Sequence, residues 1–270
     1  MQGFCHPCFC NHACSISNLC NGTELRMSAP TSILVLRMAD ADLKKRIMQD
    51  IYENRMLLTS VRDRPEGWTL HSGLWSPFYI QLRILSSFPQ TLEMIGSALG
   101  ALVKEEAPHI NRLVGIAFAG IPIATAMSLS TGIPACHTRK VEGVRTEDEF
   151  KDAISKYGQH RLLEGEVCEG DAICLVDDLV TGMESKLVAR GQVAAELEKR
   201  GINNYTIDDV AVVIDRQQGA RVRANELKIR LHSLIDLVDE GLSLIKDKMT
   251  DEEFDMISDY LSNPTEFKRP

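Results

Sequence analysis

Residues 172–186 read AICLVDDLVTGMESK. A short apolar run ends in two adjacent carboxylates, Asp177 and Asp178, and a brief turn then opens what reads as a helix. In open parallel sheets ligands settle beyond the carboxyl ends of the strands, where the next helix offers free backbone N–H groups to a phosphate. Two acids at that place can hold ribose hydroxyls or the metal shell around a sugar phosphate, and Thr181 and Ser185 can donate to the phosphate itself. The plainer alternative is a buried strand that ends in a solvated acidic turn. The segment alone leaves both open.

On either side of it, further short apolar runs stand at 113–119, 209–214 and 230–235. Separated by helical stretches such as 187–200, they predict an α/β fold with a parallel sheet covered on both faces. Gly201 follows that helical stretch in the position of a C-terminal cap. A helix is expected from Pro89, with Leu92, Ile95, Leu99, Leu102 and Val103 on one face. Another is expected after Asp40 as its cap, carrying Leu43, Ile47, Ile51 and Leu58 at helical spacing. Residues 141–155, VEGVRTEDEFKDAIS, are charged and core-poor, the composition of a surface loop or a short exposed helix.

The 270 residues are 44% hydrophobic and 25% charged, ordinary values for a chain that buries one main core. With 30 basic and 38 acidic side chains the net charge is −8, which disfavours a broad nucleic-acid surface and leaves room for small anions in a local positive pocket. No apolar run approaches the roughly 18 residues of a membrane span, and no signal-peptide pattern opens the chain. A cytoplasmic protein with neither membrane nor nucleic-acid partners is therefore expected. Cys5, Cys8, Cys10, Cys14 and Cys20 interleave with His6 and His12, a metal-ligand composition whose spacing matches no paired-ligand module. Residues 1–38 are read as a leader, disordered or an over-long start, and dispensable. Cys136, Cys168 and Cys174 are expected to be small core residues.

The 172–186 segment resembles the ribose-phosphate loop of type I phosphoribosyltransferases, and other segments in order resemble the orotate phosphoribosyltransferase family. Residues 70–83, LHSGLWSPFYIQLR, look like its opening signature, and 115–122, GIAFAGIP, like its pyrophosphate-contacting turn. Arg139 and Lys140 fall where the family has a basic pair. Residues 157–165, YGQHRLLEG, look like the segment leaving the mobile catalytic loop, and IDRQQG at 214–219 with LHS at 231–233 resembles its two C-terminal segments.

The resemblance implies a type I phosphoribosyltransferase fold over 39–250, a parallel sheet flanked by helices with a small N-terminal hood, followed by a C-terminal helix and tail over 251–270. It implies transfer of phosphoribosyl from phosphoribosyl pyrophosphate to orotate, a homodimer, and Mg2+ on the pyrophosphate. Asp177 and Asp178 would contact the ribose hydroxyls and Thr181 and Ser185 the 5′-phosphate. Arg139 and Lys140 would meet pyrophosphate across a dimer interface. Phe78 and Tyr79 would border the base, with core packing as the alternative, and Arg216 would read the orotate carboxylate, a task for a planar bidentate donor. No metal-ligating side chains are assigned.

Departures from the family pattern favour a second reading, a weakened relative that binds a nucleotide or phosphoribosyl pyrophosphate in a regulatory role. Thr181 is followed by Gly182, Met183 and Glu184. Met183 would crowd the phosphate loop, and Glu184 would either repel the dianion or point outward as the helix's first-turn acid. His71 stands where the family has a pyrophosphate-contacting lysine, and Gln81 replaces an acid. The catalytic loop is longer than the family's, so its lysine falls at Ser155, with Lys156 one place along as the candidate and Lys151 or Arg145 as substitutes. A DNA-binding regulator is disfavoured, since the first helix has no partner for a helix-turn-helix.

Overall fold

A computed structural model describes residues 33–70, 73–141, 143–144, 146, 148–150, 161–264 and 267, with side chains from residue 41 onward. Residues 1–32, which hold the cysteine-rich leader, lie outside the described residues, as do His71, Arg145, Lys151 and Lys156.

The chain opens with α1 (Ile33–Glu53), so the helix begins before Asp40 rather than being capped by it, and it ends before Leu58. Leu58 belongs to the next strand, β1 (Leu57–Thr59). Short strands β2 (Trp68–Thr69), β3 (Trp75–Ser76) and β4 (Phe78–Ile80) follow. β1 pairs antiparallel with β4, and β2 with β3, forming the hood. A 3-10 turn over Leu82–Ser87 leads into α2 (Pro89–Glu106), which opens on its proline as the sequence predicts.

The main sheet comes next: β5 (Arg112–Gly115), then α3 (Gly120–Thr131), β6 (Ala135–Thr138), β7 (Leu163–Glu164) and β8 (Asp171–Val180). α4 (Glu184–Arg200), β9 (Tyr205–Asp215), α5 (Ala220–Glu226) and β10 (Arg230–Asp236) complete it, and α6 (Asp251–Ser262) follows. The strand order is β10-β9-β8-β5-β6-β7. All neighbours are parallel except β6 and β7. The apolar run at 113–119 is a strand only to Gly115, because its remainder turns into α3.

Alternation along the central strands explains the two cores. Cys174 and Val176 of β8 and Ala211 and Val213 of β9 face a core shared with α1, α2, α3 and the hood. Ile173, Leu175, Val210 and Val212 face a second core under α4. Side chains of successive residues point to opposite faces, so a strand covered on both sides must be apolar throughout. Cys136 and Cys174 are buried, while Cys168 is only half-buried in the turn before β8.

Two polar networks fix the outer elements. Glu253 of α6 accepts from Tyr52 Oη at 3.0 Å and Thr59 Oγ1 at 2.6 Å while closing a capping box with Thr250, so the C-terminal helix is bound into the hood. Toward the amino end of β10, buried Asp209 accepts from Arg230 at 2.6 Å and from His232 Nε2 at 2.9 Å. His232 Nδ1 faces Glu106 at 2.6 Å. With a carboxylate at each ring nitrogen, the surroundings of His232 favour the imidazolium, which can donate to both. Burial opposes that charge, but the hydrogen bonds to Asp209 and Glu106 raise the His232 pKa above its ordinary value. Although burial would raise it, the Asp209 carboxyl is held well below the carboxylate range by Arg230, His232 and His109.

Candidate functional site: the crevice beyond β5 and β8

The chain leaves β5 toward β6 on one side and returns as β8 on the other. This reversal opens a crevice beyond the carboxyl ends of β5 and β8, the usual place for a ligand in such sheets. The turn after β5 and the last part of β8, which carries the acidic pair, are in direct contact there. Ile116 N–H donates to Val176 O at 2.8 Å, and a Cβ on Gly120 would stand 2.1 Å from that same oxygen. Only glycine lets the start of α3 come this close. Beside it Thr138 Oγ1, at the end of β6, accepts from Ala117 N–H at 3.0 Å.

Arg139 and Lys140 follow at the end of β6, both exposed. Arg139 reaches Glu164 at 3.5 Å, and the Lys140 ammonium lies 5.6 Å from the centre of the Phe118 ring. Phe118 is itself 62% exposed on the turn after β5. The basic pair thus flanks the turn whose sequence resembles a pyrophosphate site.

Near the carboxyl end of β8 the two carboxylates are not equivalent. Asp177 is buried, its Oδ1 accepting Asp178 N–H at 2.9 Å and its Oδ2 accepting Lys186 Nζ at 2.8 Å. Asp178 is half-buried, and its Oδ1 accepts Leu179 N–H at 2.8 Å. Burial, helped by the neighbouring Asp177 charge and opposed by Lys186, pushes the Asp178 pKa up to about 7. Half-buried Thr181 and exposed Ser185 sit on the loop and the first turn of α4.

Met183 does not crowd this loop. It is fully buried in the core under α4, so its side chain points away from any phosphate position. Glu184 folds back instead of pointing outward: its Oε2 would be 2.4 Å from a Cβ on Gly182, which places a carboxylate over the loop itself.

Arg216 follows β9, with its backbone N–H bonded to Val180 O at 2.9 Å. It is 5% exposed, and Nε and Nη2 have no partner among the described residues. Burial lowers its pKa, with Tyr260 opposing the shift. The guanidinium lies 4.6 Å from the centre of the Phe78 ring. Phe78 therefore does not border a base as an open ring. It is fully buried, edge-on to Tyr260, and serves as the surface on which Arg216 rests. Tyr79 is half-buried, stacks on Trp68 at 6.1 Å, and its hydroxyl accepts from Arg83.

The structure brings Asp177, Asp178, Thr181, Ser185 and Arg216 to one end of the sheet, with Arg139 and Lys140 across the turn. Lys186 and Tyr260 are additions that the sequence reading missed. Lys186, Ala189, Val193 and Leu197 share the buried face of α4 at helical spacing, a pattern that could have marked this lysine as inward. Among the described residues no three His, Cys, Asp or Glu side chains gather as a metal-ligand group. Nor is any described helix long and apolar enough to cross a membrane.

An orotate phosphoribosyltransferase of Saccharolobus solfataricus is 31% identical over 201 residues, covering 72% of this chain and 89% of that protein. The chain belongs to the orotate phosphoribosyltransferase family. A Caenorhabditis elegans member is 28% identical over 217 residues, 80% of this chain and 86% of its own. Uridine 5′-monophosphate synthase of Bos taurus is 32% identical over 171 residues, yet the chain spans only 32% of that longer protein. Two solved structures share the fold. Leishmania donovani UMP synthase has a TM-score of 0.64 at 22% identity, over 83% of this chain and 42% of that one. Aeropyrum pernix orotate phosphoribosyltransferase has a TM-score of 0.53 at 19% identity, over 75% and 98%. No family model matches the chain.

Proposed function

We propose that this chain transfers the phosphoribosyl group of phosphoribosyl pyrophosphate to orotate, giving orotidine monophosphate and pyrophosphate in pyrimidine nucleotide synthesis. The observation that carries the reading is Arg216: a buried guanidinium whose Nε–H and Nη2–H groups lack partners among the described residues, beside the ribose-phosphate loop. A buried charge left unpaired is costly unless a ligand completes it. The planar N–H fork suits a carboxylate such as that of orotate.

In this scheme Asp178 accepts from a ribose hydroxyl, while Thr181, Ser185 and the N–H groups of the first turn of α4 hold the 5′-phosphate. Arg139 and Lys140 receive the pyrophosphate, in a homodimer whose partner site they serve. His71 and Lys156 belong to the same proposal as further pyrophosphate and catalytic-loop contacts. A magnesium ion, which takes few protein carboxylates and leans on substrate phosphates, suits a loop offering the half-buried Asp178 carboxyl. When bound it neutralises charge on the leaving pyrophosphate. A cytoplasmic location fits this chemistry.

Orotate-dependent release of pyrophosphate from phosphoribosyl pyrophosphate, with orotidine monophosphate as co-product, is the test. Absence of release with orotate, alongside tight binding of a nucleotide, would establish the second reading, a ligand-binding relative. Glu184 folded over the phosphate loop is the observation in that reading's favour.

A further inference from the structure

Lys186 is 4% exposed, and its ammonium meets three acceptors of its own chain: Asp177 Oδ2 at 2.8 Å, Leu179 O at 2.6 Å and Ser185 Oγ at 3.2 Å. An ammonium has three protons to donate, so this one is satisfied without any ligand. Asp177 is engaged at both oxygens, one accepting from Lys186 and the other from Asp178 N–H. Of the two acids in the loop, one is committed inward and the other, half-buried Asp178, is bonded at one oxygen to Leu179 N–H. The same lysine ties the end of β8 to the first turn of α4, the two elements between which the loop is strung.

Resting on the reading of this loop as a ribose-phosphate site, we infer that Lys186 is a positioning residue: it takes Asp177 as a permanent internal counterion and leaves Asp178 alone to face the ribose hydroxyls. Two carboxylates side by side without a cation repel each other and come to share a proton. With Asp177 partly neutralised from below, its push on Asp178 is weakened. Burial still carries the Asp178 pKa up to about 7, Lys186 opposes the rise, and above that pH Asp178 faces the diol as a carboxylate. Asp177 then contributes by fixing the loop and does not touch the ligand.

Two probes separate this role from a merely structural one. Inorganic phosphate reads the phosphate loop alone, whereas ribose 5-phosphate reads the loop and the diol together. For the unaltered protein, calorimetry should show a preference for ribose 5-phosphate over phosphate. Lys186→Met should lower that preference about tenfold or more, the order carried by one hydrogen bond to a charged acceptor, with phosphate affinity much less affected. Lys186→Met combined with Asp177→Asn removes both buried charges and should restore the preference.

If Lys186→Met fails to fold, the double variant carries the test, since a neutral pair can replace a buried ion pair without loss of fold. Loss of the preference in the double variant would make Asp177 a direct ligand and overturn the inference. So would an unchanged preference in Lys186→Met. If the unaltered protein shows no preference at all, there is no diol site, and both the function and this inference fall. Binding with preference in the unaltered protein, unchanged in both variants, sinks the inference alone.

Discussion

Replacing Glu184 by Gln should tighten phosphate binding. The carboxylate lies over Gly182, at the start of α4, where the proposed function places a 5′-phosphate. Two unit charges about 4 Å apart repel by about 4 kcal/mol at an effective dielectric of 20, and by about 1 kcal/mol in bulk water. Glu184 is exposed, so the lower figure applies. A gain of about fivefold to tenfold in affinity for ribose 5-phosphate follows. Raising the salt to about 1 M shortens the screening length to about 3 Å, and the advantage of the variant should then shrink. The change should also lower the melting temperature slightly, because a first-turn acid stabilises its helix. Titration calorimetry at low and high salt, beside a thermal melt, reads all three. If the variant binds no tighter at low salt, the carboxylate swings aside when ligand enters and the repulsion argument is wrong. Substituting Met183 by glycine, in contrast, should not help. That side chain fills the core under α4, and emptying it costs about 2–5 kcal/mol of stability.

Arg216→Met should weaken orotate binding by about tenfold to hundredfold, the loss of charged hydrogen bonds. It should leave the melting temperature unchanged or higher, because a buried guanidinium whose Nε and Nη2 have no partner among the described residues is removed; a matching fall in stability would mark the arginine as structural. Gly120→Ala should destabilise by about 1–3 kcal/mol in urea unfolding, since the new methyl meets the backbone oxygen of Val176. The His232 pKa is raised above 6.5, so its stabilisation is complete below that pH and is lost as pH rises through the folded value. The Asp209 pKa is depressed below 3.8, so its stabilisation is present above that pH and lost only in stronger acid. Thermal melts from about pH 6 to about pH 9 should therefore decline, and His232→Gln should flatten the decline.

Much of the scaffold could be read directly, because strands buried on both faces and helices with one apolar stripe leave strong patterns. The runs at 209–214 and 230–235, the helix from Pro89 and the cap at Gly201 all fall where periodicity puts them. The turn after β5 is less legible, since its apolar run continues unbroken from strand into the start of α3. In the site, residue types were readable and their directions were not. Met183 and Glu184 are adjacent in the loop, yet one points into the core and the other lies across it, a choice made by the first turn of α4. Asp177 and Asp178 look alike in sequence. They part because successive strand residues face opposite ways, and because Lys186, one residue after Ser185, returns beneath the strand end to claim the first of them. Phe78 was ambiguous between core and ligand surface, and its position explains why both had merit: a ring sealed in the core carries on its face the arginine proposed to read the base. The chemistry of this loop is thus set by which acid has an internal partner, something that depends on a contact between strand end and helix start and not on the motif that announces them.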